Sequence, residues 1–318
     1  MKILVTGGAG FIVSNFILYL LKNNPSCKIV NLDKLTYAGN LENLREIERH
    51  KNYKFVRGDI CNQTLVEKVI SSCDTVVHFA AESHVDRSIV DAQNFIRTNV
   101  FGTYVLLQAT LKAKIKRFVH VSTDEVYGSR KTGFFNEKNP LHPSSPYSAS
   151  KASSDLLANS FFVTYKLPVI ITRSSNNFGP RQYPEKVIPL FVTNLLEGKK
   201  VPLYAQGQNV RDWIYVEDNC RAIDLVLRKG KVGEIYNIAA GNYLTNIVLT
   251  KTIFKIMNQP LSMIEHVKDR PGHDFRYAID TTKIERLGFR PRVGFEKALI
   301  RTINWYQRNR PWWKKLKK

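Results

Sequence analysis

The chain is poor in cysteine and has no long apolar run. Its four cysteines, Cys27, Cys61, Cys73 and Cys220, show no metal-type spacing, so a reduced, cytosolic setting is expected. No apolar stretch approaches the roughly 18 residues needed to cross a bilayer. Only Ile3 to Val5 follow Met1-Lys2 before Thr6 and two glycines, so no signal peptide is expected there. No internal repeat or low-complexity segment is present, and no nucleic-acid motif. Acids are outnumbered: 27 Asp and Glu stand against 48 Lys and Arg, a net charge of +21. Such a balance suits nucleic acid, an anionic membrane or an anionic small substrate. Most of the positive charge is spread along the chain and reads as a solvated surface. One dense cluster closes it: Arg308, Arg310, Lys314, Lys315, Lys317 and Lys318. With Trp312 and Trp313 beside it, contact of this tail with a membrane surface is the weaker alternative.

What is present is a regular alternation. With 318 residues, the chain is long enough for one large or two coupled domains. KILVT at 2–6 reads as a short buried strand, Gly7-Gly8-Ala9-Gly10 as a turn, and the residues to about Leu21 as an apolar-periodic helix. Lys28 to Leu32 form a second strand ending at Asp33. Such a glycine turn lets backbone N–H groups reach a pyrophosphate at a helix N-terminus. Asp33 lies 23 residues after Gly10, near the roughly 20 expected for an acid on the adenosine ribose. It favours NAD over NADP, whose 2′-phosphate it would repel. Strands follow at 53–56, 75–80, 118–121 and 168–172, with helices near 65–70, 91–112 and 146–165 between them. Alternating strands and helices predict an α/β fold, a Rossmann-type doubly wound parallel sheet. After Ser174 the rhythm weakens, which places a smaller C-terminal α/β substrate domain at 176–318 after an NAD-binding domain at 1–175. Segments near 209–240 are candidates to return to the first sheet.

Residues 118 to 151 carry the chemistry. Thr123, Asp124 and Glu125 fall at or just past the C-terminal end of a strand, where ligands bind in open α/β sheets. Tyr147 and Lys151 are four apart on a helix and share a face. A phenol beside an ammonium ionises below its usual pKa of about 10 and becomes a usable base. Taken alone, that pair is more simply a surface Tyr and Lys, and Asp124-Glu125 a solvated or helix-start acid pair. His78, His84 and His273 lack ligand-like spacing. Structural hydrogen bonding, or substrate contact for His273, suits them better than a metal.

The motifs TGGAGFI (6–12), DKLTYAGN (33–40), AAESHVDRS (80–88), STDEVYG (122–128), YSASK (147–151), SSNNFGP (174–180), PEK (184–186), RDWIYVEDN (211–219) and RPGHD (270–274) resemble the extended short-chain dehydrogenase/reductase family. Within it they resemble the nucleotide-sugar 4,6-dehydratases, over nearly the whole chain. Thr123-Asp124-Glu125 is the discriminating mark, because epimerases of the family lack the acid pair. The resemblance implies an NAD-dependent internal oxidation, elimination and reduction. Tyr147 takes the C4 hydroxyl proton, Lys151 lowers the Tyr147 pKa and holds the nicotinamide ribose, and Thr123 hydrogen-bonds O4. Glu125 removes the C5 proton and Asp124 protonates the departing C6 hydroxyl. Two adjacent carboxyls suit this because like charges push their pKa values apart. It places Gly7, Gly10, Phe11, Ile12, Asp33, Lys34, Asp59, Ile60, Ala80, Thr98, Tyr147, Lys151 and Asn177 around NAD. Ser83, Thr123, Asn176, Lys186, Val187, Pro202, Tyr204, Arg211, Asn246, Arg270 and His273 are placed around the sugar nucleotide. Arg211 and Arg270 also make independent sense, as guanidinium donors to a diphosphate. The implied substrate is dTDP-glucose, with UDP-glucose as the alternative, and the implied assembly is a homodimer. No nucleic acid or membrane span is implied.

Three positions depart from the family pattern. Val13 replaces the third glycine, which permits close helix–strand packing, so crowding worth roughly 1–3 kcal/mol is expected there. Phe275 stands where a basic residue is common, and Arg181 where an aromatic is. Epimerase or decarboxylase activity is a weaker reading within the enzyme class. From a different class, the chain can be read as a non-catalytic NAD-binding protein with a basic partner-binding surface.

Overall fold

A computed structural model of the chain describes residues 1–317. Seven strands build the main sheet: β1 (Lys2–Thr6), β2 (Lys28–Asp33), β3 (Tyr53–Arg57), β4 (Thr75–His78), β5 (Arg117–Thr123), β6 (Val169–Ser174) and, much later in the chain, Ile235–Ile238. Between β6 and that last strand come β7 (Asn176–Phe178), β8 (Val201–Tyr204) and β9 (Val210–Tyr215), which makes Ile235–Ile238 β10. Two more, β11 (Tyr243–Thr245) and β12 (Ile264–Val267), follow it. The main sheet has the order β10-β6-β5-β4-β1-β2-β3, and every pairing in it is parallel.

The strand sequences explain why both faces are covered. Side chains along a strand alternate between faces, and here both alternations are apolar. Ile3, Val5, Val119 and Val121 belong to one core cluster. Their neighbours Leu4, Val30, Val76 and Phe118 belong to another. Such strands need helices on both sides. These are α1 (Phe11–Asn23), α2 (Gln63–Ile70), the short α3 (Val85–Val90) and α4 (Gln93–Phe95), a π-helical stretch Ile96–Gly102 that runs into α5 (Thr103–Lys112), and α6 (Pro146–Tyr165). The helix expected over 91–112 is therefore one rod with a π segment inside it. Strand order reverses between β1 and β4, which opens the crevice where α/β sheets bind ligands.

The chain leaves the sheet at Ser174 and supplies α7 (Val187–Leu196), α8 (Val216–Lys229), α9 (Asn246–Ile256), α10 (Thr282–Arg286), α11 (Phe295–Arg308) and α12 (Arg310–Lys314). Of the segments read as candidates to return, β10 pairs with β6. β9 instead lies between β7 and β11 in a three-stranded sheet. The tail corrects one alternative. Trp313 is fully buried and Trp312 nearly so, and their indole N–H groups donate to the Tyr306 carbonyl and to Asn43. Both rings serve the core and leave nothing apolar for a membrane. Lys315 and Lys317 pair with Glu42 and Glu197. Lys318 lies outside the described residues.

Val13 leaves the glycine turn undisturbed. Gly10 N–H donates to the Gly7 carbonyl at 3.1 Å, and Ser14 N–H to the Gly10 carbonyl at 3.0 Å. The side chain is buried in the same cluster as Val216 and Cys220 of α8, which packs on α1. Val13→Gly should therefore destabilise rather than relieve. It removes a buried valine and puts glycine into a helix, a loss of about 2–4 kcal/mol. A thermal melt decides: an unchanged or raised Tm would restore the crowding expected from the sequence.

Candidate active site

The crevice holds a cavity of about 340 Å³. One end is built for a dinucleotide. β1 ends at Thr6, and Gly7 turns the chain with φ +78°, where a Cβ would meet the Ala80 backbone at 2.9 Å. Only glycine fits both the turn and that approach. Helix α1 then starts with no side-chain cap, so the first-turn N–H groups of Phe11 and Ile12 remain free for an anion. At the end of β2, Asp33 accepts the Ala9 N–H on one oxygen (2.8 Å) and the Leu35 N–H on the other (2.7 Å). That fixes the carboxylate in the cavity wall with lone pairs to spare for two hydroxyls. Lys34, the nearest cation along the chain, is tied to Asp59 at 2.8 Å and so does not offer itself to a 2′-phosphate. These features fit NAD. All thirteen residues assigned to it from the sequence line this cavity.

The reacting groups meet at the other end. Thr123 is the last residue of β5, and its hydroxyl accepts the Glu125 N–H at 3.3 Å, capping a short 3₁₀ turn over Asp124–Tyr127. That turn aims the two acids differently. Asp124 is 2% exposed, and one of its oxygens has no partner. Burial first, then the Glu125 charge, hold its carboxyl well above the usual carboxylate range. Glu125 is half-buried and also raised by burial, but Arg211, Arg270 and Lys186 pull it back. Tyr147 is the second residue of α6, whose start is fixed by a Ser145–Ser148 capping box. Its own N–H donates to the Ser88 hydroxyl at 3.1 Å.

The surroundings of Tyr147 and Lys151 are those of a buried pair. Burial, Glu125 and Asp124 push the Tyr147 phenol up, and the Thr123 hydroxyl only partly offsets them. The Lys151 ammonium donates to the Val121 carbonyl at 2.8 Å and keeps two N–H donors for a ligand. Its own pKa is lowered to about 8 by burial, with Asp155 opposing.

The residues assigned to the sugar nucleotide divide. Ser83, Thr123, Asn176 and Lys186 line the cavity, and Lys186 donates to the Ser83 carbonyl at 3.0 Å. Val187, Pro202, Tyr204, Arg211, Asn246, Arg270 and His273 lie outside its wall. Arg270 pairs with Asp86 at 2.9 Å, while its Nε is buried without a partner. Tyr204 donates to the same Asp86 at 3.4 Å and meets the His273 ring edge-on. His273 bonds Asp269 at 2.6 Å. Arg211 donates to the Asp274 carbonyl at 2.9 Å and lies 4.1 Å over the Tyr277 ring. Pro202 is in the β8–β12 ribbon, Asn246 begins α9 and Val187 begins α7. The sequence reading missed Tyr37, Glu82, Tyr183 and Glu185 in the cavity wall, and Ser88 behind Tyr147. All but Tyr183 sit inside the motifs quoted above. His78 bonds Thr6 and Thr103, a structural role, and among the described residues no His, Cys, Asp and Glu side chains gather as a metal site.

A doubly wound sheet, an uncapped glycine turn with a terminal acid, and Tyr147-x-x-x-Lys151 beside the C-terminal end of β5 define an extended short-chain dehydrogenase/reductase. Within that class the chain belongs to the nucleotide-sugar 4,6-dehydratases: the family described as GDP-mannose 4,6 dehydratase matches residues 4–302. A dTDP-glucose 4,6-dehydratase of Streptomyces niveus is 53% identical, over 100% of this chain and 96% of its own. A dTDP-glucose 4,6-dehydratase of Streptomyces venezuelae, solved with NAD bound, is similar with a TM-score of 0.98 at 52% identity, covering 100% of both chains. One of Bacillus anthracis, also in complex with NAD, has a TM-score of 0.94 at 52% identity and the same coverage.

Asp33→Ser tests the cofactor end. Losing two charge-assisted hydrogen bonds should weaken NAD by about 10- to 100-fold and leave NADP nearly unchanged, so the preference narrows. Calorimetric titration of both dinucleotides measures it, and an unchanged ratio would remove Asp33 from the ribose.

Proposed function

We propose that the chain is an NAD-dependent dTDP-glucose 4,6-dehydratase, a lyase that yields dTDP-4-keto-6-deoxyglucose and water. The observation that carries this is the Thr123-Asp124-Glu125 turn facing Tyr147 in the cavity that fits NAD, in a chain about half identical to dTDP-glucose 4,6-dehydratases over its full length.

NAD, when bound, supplies the two-electron oxidation at C4 and the two-electron reduction at C6. Everything else falls to side chains. Tyr147, as the phenolate, takes the proton of the C4 hydroxyl on Oη, and Thr123 hydrogen-bonds that oxygen. Lys151 holds the nicotinamide ribose. The C4 ketone acidifies the C5 proton, which Glu125 removes. Asp124 gives its proton to the C6 oxygen, which departs as water. The two acids suit these roles unequally, as the chemistry requires. Burial and the neighbouring Glu125 charge favour the protonated form of Asp124, whereas Glu125 is the easier to ionise because three cations oppose its burial. A protonated Asp124 also no longer repels a Tyr147 phenolate, so the acid role of one group helps the base role of the other.

The exposed apolar side chains Ile96, Phe101, Tyr104, Leu156, Val163 and Tyr165 lie on the 93–112 rod and on α6. They support a homodimer through these helices. No helix among the described residues is long and apolar enough to cross a membrane. The cytoplasm is the proposed setting, where the four free cysteines stay reduced.

Incubation with dTDP-glucose and with UDP-glucose tests the reading. The alkaline absorbance of a 4-keto-6-deoxy product should appear, faster with the thymine nucleotide. A UDP-only product would move the base assignment, and no product from either nucleotide would overturn the enzyme reading. Glu125→Gln should cut product formation by about 10²–10⁴ while absorbance of reduced cofactor accumulates on adding substrate. Full turnover in that variant would remove Glu125 as the C5 base.

A further inference from the structure

Outside the reacting groups, one side chain ties together the loops on either side of the cavity. Arg87, on α3, reaches in two directions. Its guanidinium carbon lies 3.8 Å over the centre of the Tyr37 ring, and its Nη2 is 2.9 Å from the Glu185 carboxylate. Tyr37 belongs to the loop after β2 that begins with Asp33. Glu185 belongs to the loop before α7 that ends with Lys186. Tyr37 and Glu185 both line the cavity, and Arg87 does not. A second hollow, of about 510 Å³, is lined by Tyr37, Glu82 and Arg87 among others. The stack is therefore part of the partition between the cofactor cavity and the outside.

We propose that Arg87 is a clasp that retains the cofactor, locking the Tyr37 loop to the Glu185 loop across the mouth of the cavity. This rests on the reading of the cavity as the NAD site.

Half-exposed Arg–Glu pairs taken singly contribute little. This one differs because the guanidinium is engaged on its face and on its edge at once, a geometry particular to arginine. Its partners are held as well. Tyr183 meets the Tyr37 ring edge-on at 5.5 Å, and His84 Nε2 lies 3.7 Å from Glu185. The Glu185 loop is anchored on its far side by Arg181, which bonds Asn15 and Glu46. The 34–39 loop is tied at its start by Lys34 to Asp59, and Arg87 joins its middle, at Tyr37, to the fixed Glu185 loop. The proposed chemistry gives such a clasp a purpose. The cofactor ends each cycle in the state it began, so holding it costs no turnover, and release between the oxidation and the reduction would strand the ketone.

The test measures NAD release rather than activity. Purified protein is loaded with NAD and mixed with excess alcohol dehydrogenase and ethanol, which turn each released NAD into NADH and report it by absorbance. Arg87→Met keeps the stem and loses both engagements. It should release NAD about tenfold faster at an unchanged Tm. Arg87→Lys keeps the charge without the planar stack and should fall between Arg87→Met and the parent, whereas Arg228→Met, which removes a half-exposed arginine paired with Asp224 on α8, should release NAD at the parent rate. A release rate from Arg87→Met within twofold of the parent overturns the clasp, as does a rise in Arg87→Met matched by an equal rise in Arg228→Met. If the parent protein itself takes up no NAD, the reading of the cavity fails first and the clasp with it.

Discussion

The Asp124 carboxyl lies at the end of a buried strand with one oxygen unpartnered, and the balance of the site follows from that burial. Desolvation disfavours the charged form of any group, so it acts on every titratable side chain gathered here. It raises Asp124, Glu125 and Tyr147 and lowers Lys151. What separates the groups is the compensation each receives. Glu125 faces Arg211, Arg270 and Lys186, and Asp124 faces mainly another acid. Adjacent residues on one short turn therefore differ in how readily they ionise, which suits the proposed acid and base roles. The turn can do this because the Thr123 hydroxyl caps it, which keeps Asp124 inward and leaves Glu125 toward the cations of the C-terminal part. The cations that favour an ionised Glu125 are of the kind a diphosphate calls for, so in the proposed reaction the same charges would serve binding and chemistry.

Much of this was legible in the residues. The glycine turn, Asp33 and the pattern of short apolar runs predict the sheet, the switch point and the cofactor end, because backbone geometry and residue period are local properties. The Thr123-Asp124-Glu125 motif and the Tyr147–Lys151 spacing place the reacting groups for the same reason. Long-range consequences were not legible. Whether β9 or β10 returns to the sheet depends on pairing partners far apart in the chain. The two tail tryptophans look like a surface pair until Asn43 and the Tyr306 carbonyl take up their N–H groups. Spacing shows that Lys151 shares a face with Tyr147. It does not show that the Lys151 ammonium also donates to the Val121 carbonyl or that burial and two carboxyls push the Tyr147 phenol up. Arg87 and Ser88 were read as letters of a motif. Their work depends on what faces them from elsewhere.

The same long-range logic explains how a site assembled from distant segments stays in register. Beneath it runs a buried network. Burial alone would raise Asp155, but Arg173 and His120 outweigh it and bring its pKa to about 2. Arg173 of β6 donates to Asp155 of α6 at 2.8 Å and to the Tyr127 hydroxyl at 2.8 Å. Tyr127, two residues after Glu125, donates in turn to Asn237 of β10 at 2.9 Å. One chain of bonds thus joins the turn that carries the acids, the helix that carries Tyr147 and Lys151, and the strand that returns from the C-terminal part. A buried ion pair is a poor source of net stability, since desolvating two charges offsets most of their attraction. Its value here is positional. Removing either partner strands a charge in the core, so the arrangement is close to all-or-none, and the segments it joins are fixed relative to each other. The 34–39 loop lies outside that network, and its ties are single contacts, Lys34 to Asp59 and Tyr37 to Arg87, so it is less firmly fixed than the reacting groups.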